Sequence, residues 1–132
     1  MSTTTTISKA APTRWDIDYG ETIDQVFEFF TNDEMTITRN ISGRQYAMWL
    51  RSKHGETPFA KLPWNPGVGV SGVSFVTDGS NGQIRILITA ALCATFPIGA
   101  YRSDLRELTN PAVNFPSKFH GDILPTSTES VL

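Results

Sequence analysis

The sequence is poor in the groups that carry chemistry. It has one cysteine, Cys93, so neither an intramolecular disulfide framework nor a thiolate-built zinc site can form. Its two histidines, His54 and His120, have no H-E-x-x-H context, no helical i,i+4 pairing and no cysteine nearby. His54 reads as a solvated turn residue and His120 as a hydrogen-bonded surface group. Charged residues are only 18% of the chain, and the formal charge of −2 excludes a counterion-release nucleic-acid binder as the default. No apolar run reaches the roughly 18 residues that a membrane span needs. Residues Met1 to Ala11 lack the apolar stretch of a secretory leader. A soluble, cytosolic-type product is expected, with no membrane and no nucleic acid among its partners.

The motifs that could still supply chemistry fail on context. Gly67 to Gly72 matches G-x-G-x-x-G, but Pro63 and Pro66 stand where a strand is needed and no helix follows. There is no G-x-S-x-G nucleophile elbow and no P-loop. Asp16, Asp18 and Gly20 make only a fragment of a calcium loop, and Trp15, Ile17 and Tyr19 between them read as a strand with a solvated acidic face. Cys93 sits in an apolar segment, where a lone thiol is buried and inert. No catalytic, metal or cofactor-binding residue is assigned, no cofactor is expected, and the chain is not expected to be an enzyme.

What is present is a series of short apolar segments cut by turn residues. A length of 132 residues suits one domain. The polar threonine run at the start cannot offset its ordering entropy alone, so residues 1–12 are expected to be a flexible or partner-ordered arm. Residues 126–132 form a similar tail, and 13–125 form the domain. Alternation predicts strands over 15–19, 22–31, 45–53, 83–88, 100–108 and 115–124. Shorter extended pieces are expected at 35–39, 59–62 and 73–76. Asn32 to Glu34, Ser42-Gly43, Asp78 to Gly82 and Asn110-Pro111 mark turns, and 56–72 reads as a Pro/Gly loop. Thr89 can cap a connector helix of at most two turns that stops before Pro97. About seven short strands with one minor helix and extended termini argue for an all-β, antiparallel β-sandwich.

The order of segments carries more than any one motif. Asp16 to Thr22 opens the domain, Ile41 to Arg51 follows, then Asn81 to Ala91, Gly99 to Leu105 and Phe119 to Pro125. This succession resembles the N-terminal β-sandwich domain of bacteriophage baseplate upper proteins, over about Thr13 to Pro125. Gly43, Gly99, Tyr101, Asp104, Leu105 and Gly121 carry most of it. The chain departs from the pattern in its longer, more aromatic 56–72 loop and in Asn110 to Pro116. The resemblance implies a multi-copy virion subunit, of the tail, baseplate, collar or fibre-attachment region, assembled in the host cytoplasm. It implies contacts with other phage virion proteins and with further copies of itself.

The residues agree on one point. Apolar side chains on both parities of 45–53 suit a strand that is central or meets another chain. Tyr46, Trp49, Phe59 and Trp64 are therefore the candidate protein-interface residues. Two other readings are a capsid decoration protein and a glycan-binding surface module that stacks sugars on Trp64 or Trp15.

Overall fold

The computed structural model describes residues 3–7, 13–29, 39–108 and 117–125. The turns expected at Asn32 to Glu34 and at Asn110-Pro111, all but Arg39 of the extended piece expected over 35–39, and the tail 126–132 lie outside the described residues.

Two sheets face each other. The first has the order β1 (Thr3–Ile7), β4 (Ile23–Phe29), β8 (Gln83–Ile88), β7 (Gly72–Phe75). The second runs β2 (Thr13–Arg14), β10 (Ser117–Leu124), β9 (Gly99–Glu107), β5 (Tyr46–Ser52), β6 (Ala60–Leu62), and β3 (Ile17–Asp18) also pairs with β10. The alternation in β8 follows its burial: Ile84, Ile86 and Ile88 point inward and Arg85 outward. In β9, Tyr101, Ser103, Leu105 and Glu107 point inward, so Arg102, Asp104 and Arg106 take the other face. The one helix, α1 (Ala90–Cys93), starts at Thr89, whose hydroxyl accepts from the Leu92 N–H.

The expected all-β sandwich is observed, with two differences. It is mixed: β1 runs parallel to β4, and β2 and β3 run parallel to β10, while the other pairings are antiparallel. Within the span expected as an N-terminal arm, Thr3–Ile7 pairs with Gln25 to Phe29 of the same chain. Threonine is β-branched and suits an extended backbone, which is the local reason that such a polar run can add to a sheet edge.

Of the strand expected over 15–19, only β3 (Ile17–Asp18) is observed; β2 (Thr13–Arg14) precedes it, and the chain kinks between them at Trp15 and Asp16. There the Trp15 N–H donates to the His120 carbonyl at 2.9 Å, and the Asp16 carboxylate accepts from the Asp122 N–H at 2.9 Å. The Trp15 carbonyl accepts from the buried Tyr101 hydroxyl. Gly121 lies beneath this kink, and a Cβ there would press directly on the Trp15 carbonyl. That close approach is the physical reason for glycine at this position, and Tyr101 and Gly121 are two of the residues that carried the resemblance.

The core lies between the sheets. Trp15, Phe27 and Phe119 meet at centroid distances of 4.8 to 6.2 Å, joining β4 of one sheet to β10 of the other. Tyr46 and Phe29 stack at 6.0 Å and make a second bridge between the sheets one inward position further along β4. Cys93 is buried, donates its S–H to the Asp18 carbonyl at 3.2 Å, and has its ionisation pushed up mainly by burial. A thiol held neutral in this way is a poor nucleophile.

Candidate interaction surfaces

Strand register decides which side chains can meet a partner. The four expected interface residues divide sharply. Tyr46 shares its parity with Met48 and Leu50, is 1% exposed and belongs to the core. Expected at an interface, its ring instead lies between the two sheets, where it packs against Phe29. Burial, reinforced by Glu107, pushes its phenol up to about 12. Phe59 is half-buried and packs edge-on against Phe96 at 5.0 Å. Trp64 is half-buried between Phe75 at 4.9 Å and Tyr46 at 6.2 Å. Trp49 alone of the four stands on the outer face of the six-stranded sheet.

Trp49 is not a bare apolar platform. Lys61 Nζ lies 4.6 Å from its ring centroid, and the guanidinium carbons of Arg106 and Arg51 lie at 4.6 and 5.5 Å. The negative face of the indole attracts cations, so the ring organises three positive side chains contributed by β5, β6 and β9. Arg51 also contacts Asp104 at 3.7 Å and donates to the Glu56 carbonyl at 2.7 Å.

A second arrangement lies one register step away. Arg14 of β2 is opposite His120 of β10, His120 is opposite Arg102 of β9, and Arg102 is opposite Arg51 of β5. Four cationic or ionisable side chains thus form one row across four neighbouring strands. Arg14 is held between Asp16 and Asp122, each at 3.0 Å, and these carboxylates raise its pKa, the hydrogen bond that it donates to Asp122 most. Arg102 donates to the Gly55 carbonyl at 2.8 Å. A cavity of about 540 Å³ opens at this row, lined by Arg14, Lys53, His54, Arg102, His120 and Asp122. The structure therefore brings together the two histidines, which the sequence places 66 positions apart on a turn and a strand.

The Pro/Gly loop makes a different kind of surface. The Val73 N–H donates to the Pro63 carbonyl at 2.8 Å and the Asn65 N–H to the Val73 carbonyl at 2.7 Å, which closes the loop at its base. Its tip carries Val68, fully exposed, and Val70, half exposed, over the outer face of the four-stranded sheet. A cavity of about 420 Å³ lies beneath, lined by Asp24, Arg85 and Leu87 among others. Gly67 and Gly69 have φ of 126° and 75°, so the glycine pattern serves a tight turn.

Of the two tryptophans named for sugar stacking, Trp15 is 8% exposed, and Trp64 is half-buried with two rings packed against it. Among the described residues, no three His, Cys, Asp or Glu side chains converge to hold a metal ion. No helix among them is long and apolar enough to cross a membrane.

Comparison with known proteins adds the fold. No protein-family model matches the chain, and no curated protein matches its sequence. Among solved structures, the chain is similar to the N-terminal domain of phage TP901-1 ORF48, with a TM-score of 0.58 and 13% identity, covering 96% of this chain and 98% of that one. It is also matched to auracyanin A, a blue copper protein from Chloroflexus aurantiacus, at a TM-score of 0.41 and 11% identity over 96% of this chain and 100% of that one. The second likeness is too low to carry any argument. The first shows that this β-sandwich is a fold used in a phage protein domain, matched from end to end.

Proposed function

We propose that the chain is a structural protein of a bacteriophage particle, a multi-copy subunit that joins other virion components in the tail, baseplate, collar or fibre-attachment region. The observation that carries this reading is the end-to-end likeness to the TP901-1 domain, in which nearly all of both chains superpose on one sandwich. Fold alone does not assign function, so the surface must supply the rest of the argument. It displays a broad sheet face with an aromatic residue ringed by cations, and an apolar loop tip on the other side. Both are suited to protein contact, and repetition of the subunit would add avidity to contacts that are individually modest. In this reading the chain works by fitting against neighbours and transforms no substrate.

Quantitative mass spectrometry of density-purified phage particles tests the reading. The expected result is a fixed copy number per particle, in a simple ratio to a known virion protein. A chain abundant in infected cells but absent from purified particles would overturn it.

A further inference from the structure

We infer that the outer face of the six-stranded sheet, centred on the row Arg14, His120, Arg102 and Arg51 and on Trp49 beside it, is a docking surface for an acidic protein surface. This names the chemistry of the partner in the virion reading and rests on that reading.

Directly opposed like charges on neighbouring strands destabilise a sheet. In this row Arg102 faces Arg51 on one side and His120 on the other, so the register places no carboxylate between them. Among the described residues, the ion pairs on this face belong to the two ends of the row, Arg14 with Asp16 and Asp122, and Arg51 with Asp104. The middle of the row is held by a backbone carbonyl, Gly55 O, and opens into the cavity with Lys53 and His54. The chain as a whole has thirteen acidic against eleven basic residues, so this positive face is a segregation of charge and not a reflection of composition.

Two observations favour a protein over a nucleic acid. Asp16, Asp104 and Asp122 lie among the cations, where a polyphosphate with a charge about every 1.7 Å would run onto them. A protein surface can place carboxylates against the arginines and a basic or neutral group against each Asp, and Arg is the side chain best shaped to grip a carboxylate through two donors. Trp49, half-buried on this face, holds Lys61 and Arg106 over its ring and so fixes two further cations beside the row.

The test uses the full chain and labelled poly-L-glutamate as the probe, with a labelled DNA duplex of matched charge beside it, read by fluorescence anisotropy. The wild type is expected to bind poly-L-glutamate at low salt, to bind the duplex more weakly, and to lose most of its binding at about 0.3 M salt. The double reversal Lys53→Glu with Arg102→Glu is expected to weaken binding roughly tenfold or more. Its thermal midpoint should match or exceed that of the wild type, because an acid now sits between His120 and Arg51. Three results would overturn the inference: no binding of poly-L-glutamate at low salt, binding unchanged in the folded double variant, or tighter binding of the duplex. Particle incorporation is read separately, so a chain that is present in virions but indifferent to poly-L-glutamate removes this inference and leaves the structural role standing.

Discussion

The two outer faces of the sandwich solve the same problem in opposite ways. On the four-stranded sheet, Arg85 forms a two-pronged ion pair with Asp24, at 2.7 and 2.9 Å, across the β4–β8 ladder. Beside it, the Glu28 carboxylate accepts from the Gln83 amide at 2.6 Å. Arg85 and Asp24 are thus paired inside the chain, and Glu28 is held by a neutral amide. On the six-stranded sheet, Arg102 lies between His120 and Arg51, and three cations gather on Trp49. An arginine paired within its own sheet is finished by folding, whereas a row with acids at its two ends and Arg102 on a backbone carbonyl in its middle leaves room there for an acid from outside. The difference locates the proposed contact without reference to any catalytic group.

Both sheets share one core, and the largest expected effect tests that. Phe27 is fully buried between Trp15 and Phe119, at 5.3 and 4.8 Å. Phe27→Ala should cost roughly 3–5 kcal/mol in urea unfolding, as large-to-small changes in an aromatic core do. A loss close to that of a surface substitution would mean that the sheets are not packed as described.

Alkaline stability sharpens the same point, because two buried phenols, Tyr46 and Tyr101, face the interior of the six-stranded sheet. Burial raises both pKa values, that of Tyr46 to about 12. The folded state therefore keeps protons that the unfolded chain releases near pH 10, so stability should be full below about pH 10 and fall as pH rises through 12. The contribution of Tyr46 is at most about 3 kcal/mol. Tyr46→Phe should flatten part of the slope in denaturant midpoints measured against pH, and an unchanged slope would contradict the burial of its hydroxyl.

The next effect concerns an inward charge at the edge of the basic sheet. Glu107 is 4% exposed and accepts from Arg44 Nη1 at 2.7 Å, a contact that raises the Arg44 pKa. Arg44→Ala should cost about 2 kcal/mol by stranding a desolvated carboxylate, and Arg44→Ala with Glu107→Gln should recover part of it in the same unfolding assay.

The smallest effects are the most direct contrast between the faces. Arg85→Ala should lose about 0.5–1 kcal/mol with its ion pair. Arg102→Ala should leave stability unchanged or raise it by a few tenths of a kcal/mol, about what relief of one like-charge pair supplies. Equal losses from the two substitutions would erase the distinction on which the comparison rests.

Much of this architecture could be read before any pairing was known, because period-2 patterning is local. The Ile84, Ile86, Ile88 alternation, the Asp78 to Gly82 turn and the Thr89 cap each depend on a few neighbouring residues. The parity of 45–53 already separates Tyr46 from Trp49, yet it does not say which parity is inside. That required the partner sheet, whose Phe29 and Phe27 complete the interior on the Tyr46 side. The break at Trp15-Asp16 depends on Asp122 and Tyr101, which lie 106 and 86 positions away in the sequence. The basic row is the least legible feature, since Arg14, Arg51, Arg102 and His120 become neighbours only through register. A signal for β1 was available in the β-branched Thr3 to Ile7 run, but composition weighed against it.

The most direct test of the account is a cryo-EM map of the intact particle. The account predicts that the outer face of the six-stranded sheet, with Trp49 and Arg102 at its centre, is covered by an acidic surface of a neighbouring protein in every copy. A map in which that face is open to solvent in every copy would contradict it.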